Sequence, residues 1–142
     1  MLKAYAQDYK NAFYKHYHAY INWNNTGSII SKRIILSYCV ECGLKYLLMK
    51  QERLFSIESA RDDLKNVLTS HDIQSILTKH LRQPSFVFPV FNTIHGQPVN
   101  SSKYHQAYRY ALCPLDSDEI KCVMFYKELE KVSTWLNERV CN

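Results

Sequence analysis

The sequence is poor in the residues that make turns. Its 142 residues include three glycines and four prolines, which is too few for the many tight turns of an all-β sandwich or barrel. We therefore expect an all-α fold with long helices and few connections. A chain of this length can form one domain, residues 1–142, and bury enough surface to fold without disulfides or a structural metal.

Long apolar runs are also absent. No stretch approaches the roughly 18 consecutive apolar residues of a membrane span, and the first eight residues lack the apolar segment of a signal peptide. We therefore expect a cytoplasmic protein that makes no contact with a membrane. The net charge of +5 is mild, so it allows a polyanionic partner without requiring one.

The five cysteines are an odd number and lie within or beside apolar helical patterns, which predicts reduced, buried thiols. Cys39 and Cys42 form a CxxC pair, but a structural zinc site needs four ligands and no second pair follows at a usable spacing. A redox CxxC begins a helix after a strand, whereas this pair lies deep inside a helical pattern. We therefore predict no metal and no cofactor.

The longest apolar helical pattern covers residues 28–51 and predicts a central helix, because its apolar side chains wrap more than one face. Glu41 and Lys45 form its one charged stripe. Their i,i+4 spacing, with the acid first, allows them to pair. Gly43 costs about 1 kcal/mol in a helix interior, which indicates that another backbone packs closely against it.

Three further long helices are predicted near residues 2–22, 71–81 and 118–140, with a shorter amphipathic helix over 57–68. Ser70 and Ser117 are the predicted N-caps of the third and last long helices. The predicted inner face of the last helix contains Ile120, Val123, Met124, Leu129, Val132, Trp135, Leu136 and Val140. Prolines interrupt the helical patterns near residues 84–101, and this segment is predicted to be a short extended or hairpin insertion.

The first helix carries an aromatic stripe at helical spacing, made of Tyr5, Tyr9, Phe13, Tyr17 and Tyr20. Such a stripe is typical of a core or a dimer interface. Its tyrosine surface exceeds what one small bundle can cover, and large exposed apolar patches mark interfaces. The pattern therefore predicts a homodimer.

Three motifs resemble one family in the same order along the chain. Residues 37–48, SYCVECGLKYLL, resemble the "AVECALKALL" helix of HEPN domains, the small helical domains named for nucleotide binding in prokaryotes and higher eukaryotes. Residues 70–77, SHDIQSIL, resemble the family's "GHDLxxLL", and Tyr108-Arg109-Tyr110 resembles the "RY" that precedes its last helix. The resemblance covers nearly the whole chain.

The resemblance implies an up-and-down bundle of four to five helices that dimerises. Many HEPN domains are metal-independent endoribonucleases or nucleotide binders of defence, toxin–antitoxin and stress systems. Their nuclease signature is an arginine followed four to six residues later by a histidine, and both subunits contribute it to a shared cleft. No arginine of this chain is followed by such a histidine, so the family's usual catalytic pair is missing.

Two substitutes for that pair are possible. His105 and Arg109 are spaced i,i+4 and would share a face if their segment is helical, and the fold could bring His71 to Arg109. An arginine stabilises the charge of a phosphorane-like transition state, and an imidazole moves a proton near its unperturbed pKa. The predicted ligand-binding residues are Arg109, His71, Lys45, Tyr104 and Glu41. Alternatively, Arg109 is the structural counter-ion of Glu41.

Three functions are therefore open. The first is a HEPN-like domain that binds a nucleotide, RNA or a partner protein encoded nearby, as the non-catalytic or accessory part of a prokaryotic defence or stress system. The second is an atypical metal-independent endoribonuclease that uses His71, His105 and Arg109. The third is an antitoxin-like or scaffold protein with no ligand.

Overall fold

The computed structural model describes residues 4–24 and 26–140. Helices account for 65% of it and strands for one small hairpin, which confirms the all-α prediction. The elements are α1 (Ala6–Ile21), α2 (Ile29–Gln51), a 3-10 turn (Ile57–Ser59), α3 (Asp62–Thr69), α4 (Ile73–Ser75) with its π-helical continuation (Ile76–His80), β1 (Phe91–Asn92), β2 (Pro98–Val99), α5 (Tyr104–Arg109), a second 3-10 turn (Asp116–Asp118) and α6 (Glu119–Val140). The HEPN-like topology stays a prediction.

Helix α2 lies at the centre, as its apolar pattern predicts. It packs against α1, α5, α6 and the α4 segment, and Leu36, Leu44 and Leu48 are completely buried along it. Ser28 caps its first turn by accepting a hydrogen bond from the Ser31 amide at 3.3 Å. Because helices surround α2, any polar side chain on its inner faces must find its partners within the protein.

The aromatic stripe of α1 packs inside this chain. Phe13 and Tyr20 are buried, the rings of Phe13 and Tyr17 stack at 5.6 Å, and the Tyr20 hydroxyl donates to Glu130 Oε2 at 2.6 Å. Tyr5, at the start of the stripe, is 38% exposed. The inference that this stripe needs a second subunit to cover it is therefore wrong.

Gly43 does lie at a close approach, but the neighbours are side chains rather than the predicted backbone. A Cβ at this position would lie 2.8 Å from Phe13 Cδ1 and 2.9 Å from Leu136 Cδ1. Both distances are shorter than normal carbon–carbon contact. The missing Cβ therefore lets α1 and α6 pack against the same turn of α2.

The predicted helix over residues 71–81 begins two residues late and is capped by a different side chain. Asp72 is the N-cap of α4, because its carboxylate accepts from the Ser75 amide at 3.2 Å and from the Ser75 hydroxyl at 2.8 Å. Ser70, the predicted cap, instead ends α3, where its hydroxyl donates to the Val67 carbonyl at 2.8 Å.

The predicted hairpin is present. β1 and β2 pair antiparallel with Phe91 opposite Val99, both of them buried. Gly96 in the turn has a φ of +74°, a conformation that glycine adopts without strain. The hairpin therefore covers the core with one apolar face.

Helix α6 differs from prediction at its start. Ser117 lies inside the second 3-10 turn instead of capping the helix, and Asp118 is buried, with its Oδ2 accepting from the backbone amide of Asn92 at 2.7 Å. Ile120, Val123 and Met124 are exposed by 76%, 42% and 53%. The buried positions of these turns are those of Cys122 and Phe125, while Leu129, Val132, Leu136 and Val140 face the core as predicted.

The cysteines follow their prediction in part. Cys39 and Cys122 are buried free thiols and Cys42 is half-buried, but Cys113 is exposed; Cys141 lies outside the described residues. Burial raises the pKa of Cys42 to about 11 and also raises that of Cys39, so neither forms a ready thiolate ligand or nucleophile. In the described part of the chain, no helix combines the length and apolarity needed to cross a membrane.

Candidate functional site

A buried carboxylate organises the candidate site. Glu41 on α2 is 8% exposed and lies within reach of three donors. The Tyr104 hydroxyl donates to its Oε1 at 2.6 Å, His71 Nδ1 lies 3.1 Å from its Oε2, and Lys45 Nζ lies 3.9 Å from the same oxygen. We refer to Glu41, Lys45, His71, Tyr104 and His105 as the Glu41 cluster.

Local structure fixes each member of the Glu41 cluster. One turn of α2 separates Glu41 and Lys45, as their spacing predicts. His71 immediately precedes the Asp72 cap of α4, and the Ser101 hydroxyl donates to Asp72 Oδ1 at 2.9 Å. This bond ties the His71 turn to the segment that enters α5. Tyr104, the first residue of α5, is completely buried.

Glu41 also fixes the orientation of His71. An ionised carboxylate can only accept hydrogen bonds, so a contact with His71 Nδ1 at 3.1 Å requires the proton to be on Nδ1. In the neutral ring, Nε2 then carries the free lone pair. The His71 side chain is 42% exposed, which leaves this imidazole accessible from solvent.

His105 stacks on His71. Their ring centroids lie 3.8 Å apart and the planes are inclined by 24°. Burial lowers the pKa of His105, and the His71 charge lowers it further, so the neutral form of His105 is favoured near neutral pH. Its Nδ1 is buried and makes no hydrogen bond within the protein. The cluster thus contains a neutral imidazole with an unused polar atom.

Tyr104 remains a donor across the physiological range. Burial raises the pKa of its phenol well above the usual value, and the neighbouring Glu41 raises it further. A hydroxyl that stays protonated keeps its hydrogen bond to the carboxylate. Tyr104 therefore acts as a fixed support for Glu41.

Arg109 lies at the edge of the cluster. Residues 104–109 are helical, so Arg109 and His105 share a face at i,i+4, and the arginine's charge contributes to lowering the pKa of His105. The Arg109 side chain is exposed. The alternative that it is the buried counter-ion of Glu41 is wrong, since Lys45, His71 and Tyr104 occupy that role.

Sequence reasoning missed one relation among the candidate residues. Ligand atoms of Glu41, His71 and His105 all lie within 4.8 Å of one another, although the residues come from three separate segments. The only local signal was a glutamate on a strongly apolar helix, which demands partners. The sequence does not say which histidines supply them.

Comparison with protein-family models, with curated proteins and with solved structures finds no match to this chain. The HEPN resemblance therefore rests on the three sequence motifs. In space, the first motif carries Glu41 and Lys45, the second carries His71, and the third begins at the end of α5, the helix of Tyr104 and His105. The Glu41 cluster thus joins the first two motif segments to α5, while the third motif contributes none of its members.

Proposed function

We propose that this chain is a HEPN-like domain that binds RNA or a nucleotide at the Glu41 cluster, as a non-catalytic or accessory part of a prokaryotic defence or stress system in the cytoplasm. The observation that supports this proposal is the meeting of four predicted ligand residues, Glu41, Lys45, His71 and Tyr104, from three separate segments. Within the cluster, the His71 ring is reached from solvent, and the exposed Arg109 lies beside it on α5.

The charge balance at the cluster favours an anion. The one carboxylate, Glu41, is already offset by Lys45. Lys103 and Arg109 add two exposed positive charges on and beside α5. A phosphate that approaches this edge therefore meets net positive charge, and the planar guanidinium of Arg109 can contact two of its oxygens.

A fluorescence anisotropy titration of single-stranded RNA, in buffer containing EDTA, tests this proposal. Arg109→Ala is expected to weaken binding by about 1–3 kcal/mol, the value of a charge-assisted contact, and to leave the fold intact. Arg139→Ala is the matched control, because Arg139 is also an exposed arginine but lies over the Trp135 ring. Equal affinity in the wild type and Arg109→Ala would remove Arg109 from the site.

The salt dependence of affinity separates this proposal from the scaffold alternative. Phosphate contacts release counterions, so affinity for RNA is expected to fall steeply as the salt concentration rises. An antitoxin-like or scaffold protein with no ligand would show no RNA binding at low salt. A partner protein encoded nearby, by contrast, would be found by co-purification.

One observation favours an endoribonuclease as the second candidate. Glu41 orients His71 as a carboxylate orients a general base, and Arg109 could stabilise a phosphorane-like charge. However, the lowered pKa of His105 makes it a poor proton donor at neutral pH, so the leaving group lacks a good acid. If the wild type cleaves RNA in the presence of EDTA and His71→Ala does not, the protein is an endoribonuclease rather than only an RNA binder.

We retain the homodimer in this proposal, but its contact surface is not the aromatic stripe of α1. Ile120, Val123 and Met124 are exposed together on the first turns of α6. Clustered apolar side chains of this kind mark an interaction surface. We place the dimer contact on this α6 surface.

A further inference from the structure

Three members of the Glu41 cluster have the composition and spacing of a metal-ligand set. Glu41, His71 and His105 offer one carboxylate and two imidazoles whose ligand atoms lie within 4.8 Å of one another. Zinc bonds of about 2.0–2.2 Å to nitrogen and oxygen place neighbouring tetrahedral ligands roughly 3.3 Å apart. His71 Nδ1 and Glu41 Oε2 are 3.1 Å apart, so this pair already has the required spacing.

The third ligand carries an independent sign of a missing partner. His105 Nδ1 is buried, yet it makes no hydrogen bond within the protein. Buried polar side-chain atoms are nearly always partnered, and an exception is explained by a bound ion or water, or by a functional role. A metal ion bound at the nitrogen edges of the His71 and His105 rings would supply that partner, once the His105 ring turns out of the present stack.

We propose that Glu41, His71 and His105 bind a first-row divalent metal ion of the zinc class, with the remaining coordination position open to solvent or to a ligand. Binding replaces the hydrogen bond between His71 and Glu41 by two metal–ligand bonds, and the one proton of the neutral His71 ring moves through solvent from Nδ1 to Nε2. The proposal needs no residue from a second subunit.

A partner that orients the Glu41 carboxylate is already in place. The buried Tyr104 hydroxyl donates to Glu41 Oε1 at 2.6 Å, which leaves Oε2 for the metal. Partners of this kind fix the orientation of a ligating carboxylate, and their removal weakens metal binding by about 10–100-fold. Tyr104→Phe is therefore expected to lower affinity without removing a ligand.

Neighbouring positive charges disfavour ions that are held by charge attraction alone. Lys45 Nζ lies 3.9 Å from Glu41 Oε2, and Lys103 and Arg109 flank His105 along the chain. These charges oppose any cation, so the binding energy must come from bonds to imidazole nitrogen. Zn²⁺ and Co²⁺ form such bonds readily, whereas Mg²⁺ and Ca²⁺ prefer an oxygen-only shell.

The metal proposal goes beyond the proposed RNA binding and does not depend on it. Metal binding is measured without RNA, and the RNA titration is performed in EDTA, so either proposal can fail alone. If both hold, the bound ion adds positive charge at the proposed phosphate site.

The test is isothermal titration of the untagged, metal-stripped protein with Zn²⁺, together with the visible absorption of bound Co²⁺. One ion per chain is expected for the wild type. His105→Ala and Glu41→Gln are expected to weaken binding by at least ~10-fold, and the controls His95→Ala and His18→Ala, at exposed histidines, are expected to bind as the wild type does. Circular dichroism checks that every variant is folded.

Three results would overturn the proposal. The first is no Zn²⁺ binding by the folded wild type. The second is an affinity that His105→Ala leaves unchanged, which would show an adventitious ion only. Because His105 is half-buried whereas Glu41 is buried, the His105→Ala variant keeps the test decisive even if Glu41→Gln fails to fold. Equal affinity for Mg²⁺ and Zn²⁺ would also contradict the imidazole ligands.

Discussion

Two tyrosines of α5 differ in one hydrogen bond. The Tyr104 hydroxyl donates to buried Glu41, whereas the buried Tyr108 hydroxyl makes no hydrogen bond in the structure. We expect Tyr104→Phe to lower the free energy of unfolding by about 1.5–3 kcal/mol, the value of a hydrogen bond to a charged group. Tyr108→Phe, the matched control, should be neutral or stabilising. Urea denaturation measures both, and equal losses would show that ring packing rather than Glu41 decides stability.

Gly43 gives a second prediction for a single residue. Alanine improves helix propensity by about 1 kcal/mol, but its Cβ would approach Phe13 and Leu136 within 3 Å, and overpacking a core costs about 1–3 kcal/mol. We expect Gly43→Ala to lower the free energy of unfolding by up to about 2 kcal/mol. A variant more stable than the wild type would mean that the core relaxes around the added methyl group.

The pairing of Glu41 with Lys45 could be predicted because both residues lie on one helix and their spacing determines their neighbourhood. The placement of His71 against Glu41 depends on a segment 30 residues away in the chain, and sequence periodicity contains no information about it. The stacking of His105 on His71 also joins two segments that are distant in the chain, so sequence periodicity does not predict it either. A candidate site made by three segments is therefore visible in the sequence only as a set of separate residues.

Helix caps show the same limit for whole elements. The Ser28 cap of α2 depends only on a local bond from Ser31. The predictions of Ser70 and Ser117 as caps were wrong, because aspartates occupy both helix starts. The Asp72 carboxylate accepts a hydrogen bond from the Ser101 hydroxyl, and the Asp118 carboxylate accepts one from the Asn92 amide. Such partners come from other elements of the fold, so a capping rule that considers only neighbouring residues in the sequence selects the wrong side-chain oxygen as the N-cap.

Asp118 makes the attachment of the hairpin to α6 depend on pH. The backbone amide of Asn92 donates to it and lowers the pKa of its carboxyl, so the folded state holds this group ionised to a lower pH than the unfolded state does. The stabilisation is present above the unfolded pKa and is lost as the pH falls through the folded pKa. Melting temperatures between pH 5 and pH 2 should therefore decline less in Asp118→Asn than in the wild type. Parallel declines would assign the acid sensitivity to other groups.

On the scale of the whole molecule, the predictable part is the set of long helices. The central helix was predicted over 28–51 and is found at Ile29–Gln51, because its apolar pattern is long and continuous. The first turns of α6 were assigned the wrong inner face, because Ile120, Val123 and Met124 lie beside the buried stripe, which Cys122 and Phe125 continue. Periodicity predicts an apolar face but not the neighbour that covers it.

The exposed α6 surface makes a prediction about assembly. If it forms the dimer contact, the wild type should have twice the monomer mass in size-exclusion chromatography with light scattering. Ile120→Lys with Met124→Lys should give a monomer, because each lysine would place a charge in an apolar contact. Ile94→Lys, at an exposed hairpin position, is the control. A monomeric wild type at micromolar concentration would contradict the dimer.

The Glu41 cluster is the proposed ligand site. Side-chain NMR of the six histidines during titration with single-stranded RNA in EDTA tests it most directly, because each ring reports its own surroundings. The account predicts that the resonances of His71 and His105 shift with RNA concentration while those of exposed His18 and His95 stay in place. Binding that shifts only other histidine rings, or leaves all six unchanged, would contradict it.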